Sequence, residues 1–176
     1  SWWEKPRIAS INSTGFLVTL TVPLAYDHLG GKDTQGGEFR NCHVANLTRG
    51  VVIRSENPAG TRGHCMATHH AHLSLAGVHF DSMGRTRWDI PTEIGVNQIG
   101  RYALHVHHLM GMSAMGPSFR LEGNAIDRAR KFGIAIHASH YGLVKGNVVT
   151  FAEGSGIMLE DGSETEVFHY EVGKTY

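Results

Sequence analysis

Leu121-Glu122-Gly123-Asn124-Ala125-Ile126 and Val144-Lys145-Gly146-Asn147-Val148-Val149 are one pattern written twice, 23 positions apart. The register continues downstream, where Gly133-Ile134-Ala135-Ile136-His137 lies over Gly156-Ile157-Met158-Leu159-Glu160. A third copy opens at Val167 and keeps Val172 where Val149 stood. Upstream, Leu75-Ala76-Gly77-Val78-His79-Phe80 has the same Leu-x-Gly-x-x-apolar form. Ala103-Leu104-His105-Val106-His107 resembles the Gly133 segment, with a loop from Met110 to Pro117 inserted before the next copy. Self-similarity at a fixed short period is the mark of a stacked array.

The unit contains short β-branched runs and almost no helical periodicity. Phe16–Val22, Val51–Arg54, Ala103–His107, Ile134–His137, Val148–Phe151 and Ile157–Leu159 alternate with Gly, Asn, Asp and Ser, which argues all-β. Only Asp127–Phe132 has helix-friendly residues, and it is too short to stand alone. In a parallel β-helix each coil sets its strand about 4.8 Å above the last. The inward apolar stripe that one coil cannot bury is then covered by its neighbours. Gly-Asn pairs provide corner residues that tolerate φ > 0. A β-sandwich would show hairpin turns such as Asn-Gly between alternating runs, and that signal is missing. The sequence therefore predicts a parallel β-helix with coils of about 23 residues over residues 43–176. Residues 1–42 read as an irregular β region that caps the open coil end, where backbone groups would otherwise lack partners. Because the last copy stops in mid-coil, the remainder of a longer chain or an end-to-end partner copy is expected to complete it.

The chain has 176 residues, 41% hydrophobic and 18% charged, which suits one folded domain with a core. Sixteen Lys and Arg balance 16 Asp and Glu, so no net field gathers phosphates and nucleic acid is not the expected partner. No apolar run approaches the roughly 20 residues of a membrane helix. The nearest, Gly15 to Tyr26, is interrupted by Thr19, Thr21 and Pro23, so no membrane insertion is expected. No charged-then-apolar leader opens the sequence, so an export signal is expected to have been removed or never present. Cys42 and Cys65 make no disulfide framework and read as two small buried side chains. The 22 Gly bear on fold and the 13 His on function.

Strand side chains alternate faces. With Leu104 and Val106 inward, His105 and His107 point out, about 7 Å apart. With Ile134 and Ile136 inward, Ala135 and His137 point out; with Ile157 and Leu159 inward, Met158 and Glu160 do. Stacked coils then form an outward column of His107, His137 and Glu160, flanked by His105, Ala135 and Met158. Gly63-His64-Cys65-Met66-Ala67-Thr68 extends it by one layer, with His64, Met66 and Thr68 outward. His108 joins only if the strand ends at His107. His28, His43, His79, His140 and His169 read as ordinary surface or core residues. Three imidazoles beside a carboxylate form a set that Zn²⁺, Cu²⁺, Ni²⁺ or Fe²⁺ accepts, and His64, His105, His107 and His137 are the candidate ligands. The same residues suit acid–base work near neutral pH without a metal.

Glu56-Asn57-Pro58-Ala59-Gly60-Thr61-Arg62-Gly63-His64, the segment from Asn97 to His108, and Leu159-Glu160-Asp161-Gly162 resemble bacterial right-handed parallel β-helix proteins. Those in turn resemble the β-helix of the animal cell-migration-inducing hyaluronan-binding family. The resemblance runs from about Val44 to Gly173, and its most specific part is Gly-x-Tyr-x-x-His-x-His. It implies a right-handed helix, an extracellular or cell-surface location and an association with polysaccharide, with hyaluronan depolymerisation among the animal members. His64, His105, His107, His137, Glu160 and Asp161 fall on positions that match the family pattern. Ile126-Asp127 stands where the animal proteins carry His-His, and Gly154-Ser155 where they carry Gly-His.

Three functions follow. In a polysaccharide-active enzyme, a glycoside hydrolase or a polysaccharide lyase, His107 or His137 would be general base or metal ligand. Glu160 or Asp161 would then be the proton donor, and Arg101 would bind a substrate carboxylate through its guanidinium fork. Adjacent strand residues face opposite ways, so only one of Glu160 and Asp161 can join His137, and Asp161-Gly162 reads as a turn. The alternatives are a non-catalytic metal-binding module and a structural or adhesive β-helix.

Overall fold

Three short strands build each coil, and the chain lays them down in a fixed order. A computed structural model describes residues 3–32, 34–40, 42–109 and 118–160. Its strands are β1 (Ile8–Ile11), β2 (Val18–Leu20), β3 (Gly31–Lys32), β4 (Glu38–Arg40), β5 (Val51–Arg54), β6 (Cys65–His69), β7 (Leu73–Ala76), β8 (Val78–Asp81), β9 (Leu104–Leu109), β10 (Phe119–Glu122), β11 (Ala125–Asp127), β12 (Ile134–His137), β13 (Gly142–Lys145), β14 (Val148–Thr150) and β15 (Ile157–Glu160). Two compact units are present, Ser1–Val44 and Ala45–Tyr176. In the second, three parallel sheets run through the orders β13-β10-β7, β14-β11-β8-β5 and β15-β12-β9-β6. This is a parallel β-helix. No helix among the described residues is long and apolar enough to cross a membrane.

Strand register is set by the sequence repeat. Leu121 pairs with Val144, Ala125 with Val148 and Ile134 with Ile157, each 23 residues apart. The earlier coils are longer than expected: Leu73 pairs with Phe119, and Leu104 with Ile134. The extra chain lies in the loops after β8 and β9, while the strands keep their register. Inward residues Phe80, Leu104, Val106, Phe119, Leu121, Ile126, Ile134 and Ile136 are buried in one core. Each such side chain contributes about 1.5–3 kcal/mol of hydrophobic stabilisation, which is why register holds where loop length does not.

Corners differ from the expectation in an instructive way. At the first corner Gly77, Gly123 and Gly146 take the left-handed conformation, with φ of 64°, 60° and 63°. The asparagines that follow two of these glycines do not share it. Asn124 is fully buried; its Oδ1 accepts the Val78 N–H at 2.9 Å, and its Nδ2 donates to the Leu75 carbonyl at 3.0 Å. Asn147 repeats the arrangement one coil on, with Oδ1 accepting from the Asn124 backbone and side chain at 2.9 Å and Nδ2 donating to the Leu121 carbonyl at 2.7 Å. The role of Asn is therefore an amide ladder that satisfies corner backbone groups. The other two corners use left-handed residues that are not Gly: Ser82, Arg128 and Phe151 at one, His69, His108 and Ala138 at the other.

In the first unit β1 pairs with β2 and β3 with β4, both antiparallel. Hairpins thus occur without an Asn-Gly signal; in the first, Asn12 Oδ1 accepts the Leu17 N–H at 3.0 Å and Gly15 sits at φ 75°. The cysteines are unpaired. Cys65 is partly buried against the core, but Cys42 is exposed, contrary to its reading as a core residue. The third repeat copy at Val167, with His169, lies outside the described residues.

Candidate functional site

The third sheet carries the histidines on its outer face. Register places His105 between Met66 and Ala135, and His107 between Thr68 and His137. His137 pairs in turn with Glu160, and Ala135 with Met158. Parallel pairing stacks the rings of His107 and His137, with centroids 4.9 Å apart and planes 11° from parallel. The His105 ring lies 4.9 Å from that of His107 and 6.4 Å from that of His137.

His108 joins by a route that strict alternation does not describe. β9 does not end at His107; it runs to Leu109, and the pairing with β6 slips so that His69 opposes Leu109. His108 takes φ 52°, a left-handed bulge that brings its ring beside its neighbours. Its centroid is 4.3 Å from that of His107 and 5.1 Å from that of His137. The chain then returns to the core at Leu109. Ser139, fully buried, clamps that return: the Leu109 N–H donates to Ser139 Oγ at 3.0 Å, and Ser139 Oγ–H donates to the His137 carbonyl at 2.8 Å. The His140 N–H closes the loop on the Leu109 carbonyl at 3.1 Å. Ligand atoms of His107, His108 and His137 consequently lie within 4.8 Å of one another.

His105 faces away from the coil interior, yet only 2% of it is exposed. The chain around Gly100 and Tyr102 covers it, with the Tyr102 ring 4.9 Å away. Its Nδ1 is 2.8 Å from the Gly100 carbonyl. A carbonyl only accepts, so Nδ1 carries the proton and Nε2 carries the lone pair. Among the described residues that Nε2 is buried without a hydrogen-bond partner, as is Nδ1 of His107.

The surroundings disfavour the charged form of His107, His105 and His64. Burial, followed by the imidazoles of His105, His108, His137 and His69, pushes the His107 pKa down to about 4. Burial also lowers that of His105, against the Gly100 carbonyl, which raises it; His137, Arg101 and His64 add to the lowering. His64 is lowered by burial and then by Arg85 and Arg101.

The structure thus gathers His105, His107 and His137 on one wall and adds His108. His64 stands beyond His105, outside the close trio. Arg101 lies near His64 and His105 rather than at the trio, and its Nε is buried without a hydrogen-bond partner among the described residues. Glu160 is next to His137 in backbone register, and Asp161 lies outside the described residues. Ile126 is a core residue of the second sheet. Asp127, fully buried, accepts from Thr150 Oγ at 2.8 Å and faces Arg128 at 3.5 Å. These two are therefore committed to packing and pairing away from the histidine wall.

A family model described as the CEMIP β-helix matches residues 60–174, which include His64, the whole wall and Asp161. Fibrocystin-L of Mus musculus is 29% identical over 195 residues, which cover 92% of this chain and 4% of that protein. A G8 domain-containing protein of Dictyostelium discoideum is 28% identical over 166 residues, covering 93% of this chain and 13% of its own length. The chain spans only a small part of these curated relatives. No solved structure matches it. With the model covering well over half of the sequence, the chain belongs to the CEMIP β-helix family.

Proposed function

We propose that this chain is an extracellular or cell-surface β-helix module that binds or acts on polysaccharide and holds a divalent transition metal on its histidine wall. The observation that carries the metal reading is the convergence of His107, His108 and His137 within 4.8 Å, beside a His105 whose Nδ1 is fixed by a carbonyl. A backbone carbonyl on one ring nitrogen, leaving the other free to ligate, is the usual support of a metal-binding imidazole. His107, His108 and His137 would hold such an ion as neutral imidazole donors. Bound there, it would supply Lewis acidity or an activated water.

The low His107 pKa favours this reading over metal-free acid–base catalysis. A general base works best with a pKa near the working pH. An imidazole held near pKa 4 is a weak base but a ready neutral ligand. Glu160 and Asp161 remain the proposed proton donors, His107 and His137 the proposed catalytic residues, and Arg101 the proposed contact for a substrate carboxylate. Calorimetric titration of the chain with Zn²⁺ and Cu²⁺ tests the metal. We expect one saturable site, lost in His107→Ala and in His137→Ala; no saturable heat for either ion overturns it. Chain-length analysis of uronic-acid glycans after incubation with the metal-supplied protein tests activity, and an unshortened panel rules the enzyme reading out in favour of binding alone.

A further inference from the structure

We propose that Asn46 carries an N-linked glycan, and that this glycan guards the open edge of the first sheet. The proposal rests on the extracellular part of the reading above, because the transferase and its sugar donor meet only exported chains. Asn46-Leu47-Thr48 is an Asn-x-Thr acceptor with no Pro at its middle position. In the transfer, Asn46 Nδ2 forms a bond to C1 of a lipid-linked oligosaccharide diphosphate. The bond from C1 to the phosphate oxygen breaks, the lipid diphosphate leaves with the electron pair, and Nδ2 gives up one proton. The product is bulky and hydrophilic, so it needs a surface position.

The acceptor has that position. Asn46 is exposed and lies in a stretch without regular structure. The Thr48 N–H donates to Asn46 Oδ1 at 2.9 Å, a side-chain turn that engages the amide oxygen and not Nδ2, the reacting atom. Arg49 holds the segment to the coil. Its guanidinium donates to the carbonyls of Asn46 and Thr48 at 2.9 and 2.7 Å, and to the Gly123 carbonyl at 2.5 Å. One side chain therefore tethers the acceptor, and the segment can enter a transferase without breaking a sheet. Asn12-Ser13-Thr14 matches the same pattern but is wound into the β1–β2 turn. There the Asn12 N–H donates to the Leu17 carbonyl and the Gly15 N–H to the Asn12 carbonyl, both at 3.0 Å, while Asn12 Oδ1 accepts the Leu17 N–H. Presenting Asn12 would open that hairpin, so Asn46 is the assigned site.

Register gives the glycan its role. β5 pairs with β8, Val51 opposite Val78. Counted back from that pairing, Asn46 to Arg49 falls opposite Leu73–Ala76, the whole of β7. β7 is the edge of its sheet and pairs with β10 alone among the described residues. An edge strand presents free N–H and C=O groups to any chain that can pair with it, and proteins blunt such edges with charge or Pro. Leu73-Ser74-Leu75-Ala76 contains neither. On β5, the edge of the adjoining sheet, Val51 and Val52 are exposed as well. A hydrophilic branch at Asn46 would stand in the way of any strand adding to β7.

The test makes the whole chain twice: behind an export signal in a eukaryotic cell, and in a bacterial cytosol that lacks the transferase. Peptide mapping of the secreted chain after amidase release should find Asn46 converted to Asp. Asn46→Gln and Thr48→Ala should each lose the mass of one glycan and still be secreted. An unmodified Asn46 in the secreted chain overturns the site and leaves the extracellular reading intact. Surface labelling of cells that make the native chain checks that reading separately, and recovery of the chain from inside the cell alone overturns the reading and the modification together. Sedimentation of the two forms reads the edge. The bacterial form should self-associate as its concentration rises, while the glycosylated form stays monomeric. Equal association of both forms overturns the guarding role.

Discussion

His107 shows how a single side chain takes its chemistry from its surroundings. Its pKa of about 4 in the fold compares with an ordinary value of 6.5, so between those pH values the unfolded chain binds more protons than the folded one. Stability carried by the neutral ring is complete above about pH 6.5, falls as pH drops toward 4 and then levels off. Chelator-treated protein should therefore lose urea resistance between pH 7 and pH 4, and His107→Gln should flatten that part of the profile. An unchanged profile in the variant would place the titration elsewhere. Alternation read from Leu104 and Val106 was enough to put His105 and His107 outside the coil. It could not bring in His108, because a left-handed bulge breaks the two-residue period. Nor could it find Ser139, whose hydroxyl matters only once Leu109 needs a partner. The burial of His105 was equally illegible, since it depends on a loop folding back over the strand.

The corners and strand contacts set the energetics of each coil. Asn124 satisfies Val78 N–H and the Leu75 carbonyl from a fully buried position, so Asn124→Ala leaves both without partners. We expect it to cost about 2–4 kcal/mol in urea unfolding. Asn147→Ala, at a partly buried position, should cost less, and the pair should couple in a double-mutant cycle because Asn147 Oδ1 accepts from Asn124. A different constraint acts at Gly133, where an added Cβ would meet Val149 Cγ1 at 2.5 Å and the Gly156 carbonyl oxygen at 2.6 Å. The backbone oxygen cannot move without disturbing β15, so Gly133→Ala should cost about 1–3 kcal/mol, in the range of core overpacking. A loss below 0.5 kcal/mol, on the order of an ordinary surface change, would show that the coils separate more easily than their register implies. Repeat spacing made these elements readable: β5 and β12 have the bounds that the β-branched runs predicted. The loop after β8 was not readable as structure, because nothing periodic governs it, whereas the insertion from Met110 to Pro117 was legible as a break in the repeat and lies outside the described residues.

At the scale of the whole molecule, a solenoid distributes stability between neighbouring coils rather than over the chain as one unit. The proposed ligands come from two of those neighbours, His107 and His108 on β9 and His137 on β12, strands that pair directly. An ion held by all three would therefore staple adjacent coils across their shared sheet. At a free-ion concentration of 100 times Kd, such linkage contributes about 2.7 kcal/mol. Because coupling runs between nearest neighbours, that gain should be spatially graded. Amide hydrogen exchange with and without Zn²⁺ reads it directly: exchange should slow most in β9 and β12, less in β6 and β15, and little in the hairpin strands β1–β4. His137→Ala should abolish the gradient while leaving the metal-free pattern in place. Uniform slowing throughout the second unit would mean that its coils open together, and no slowing at β9 and β12 would mean that the ion binds elsewhere.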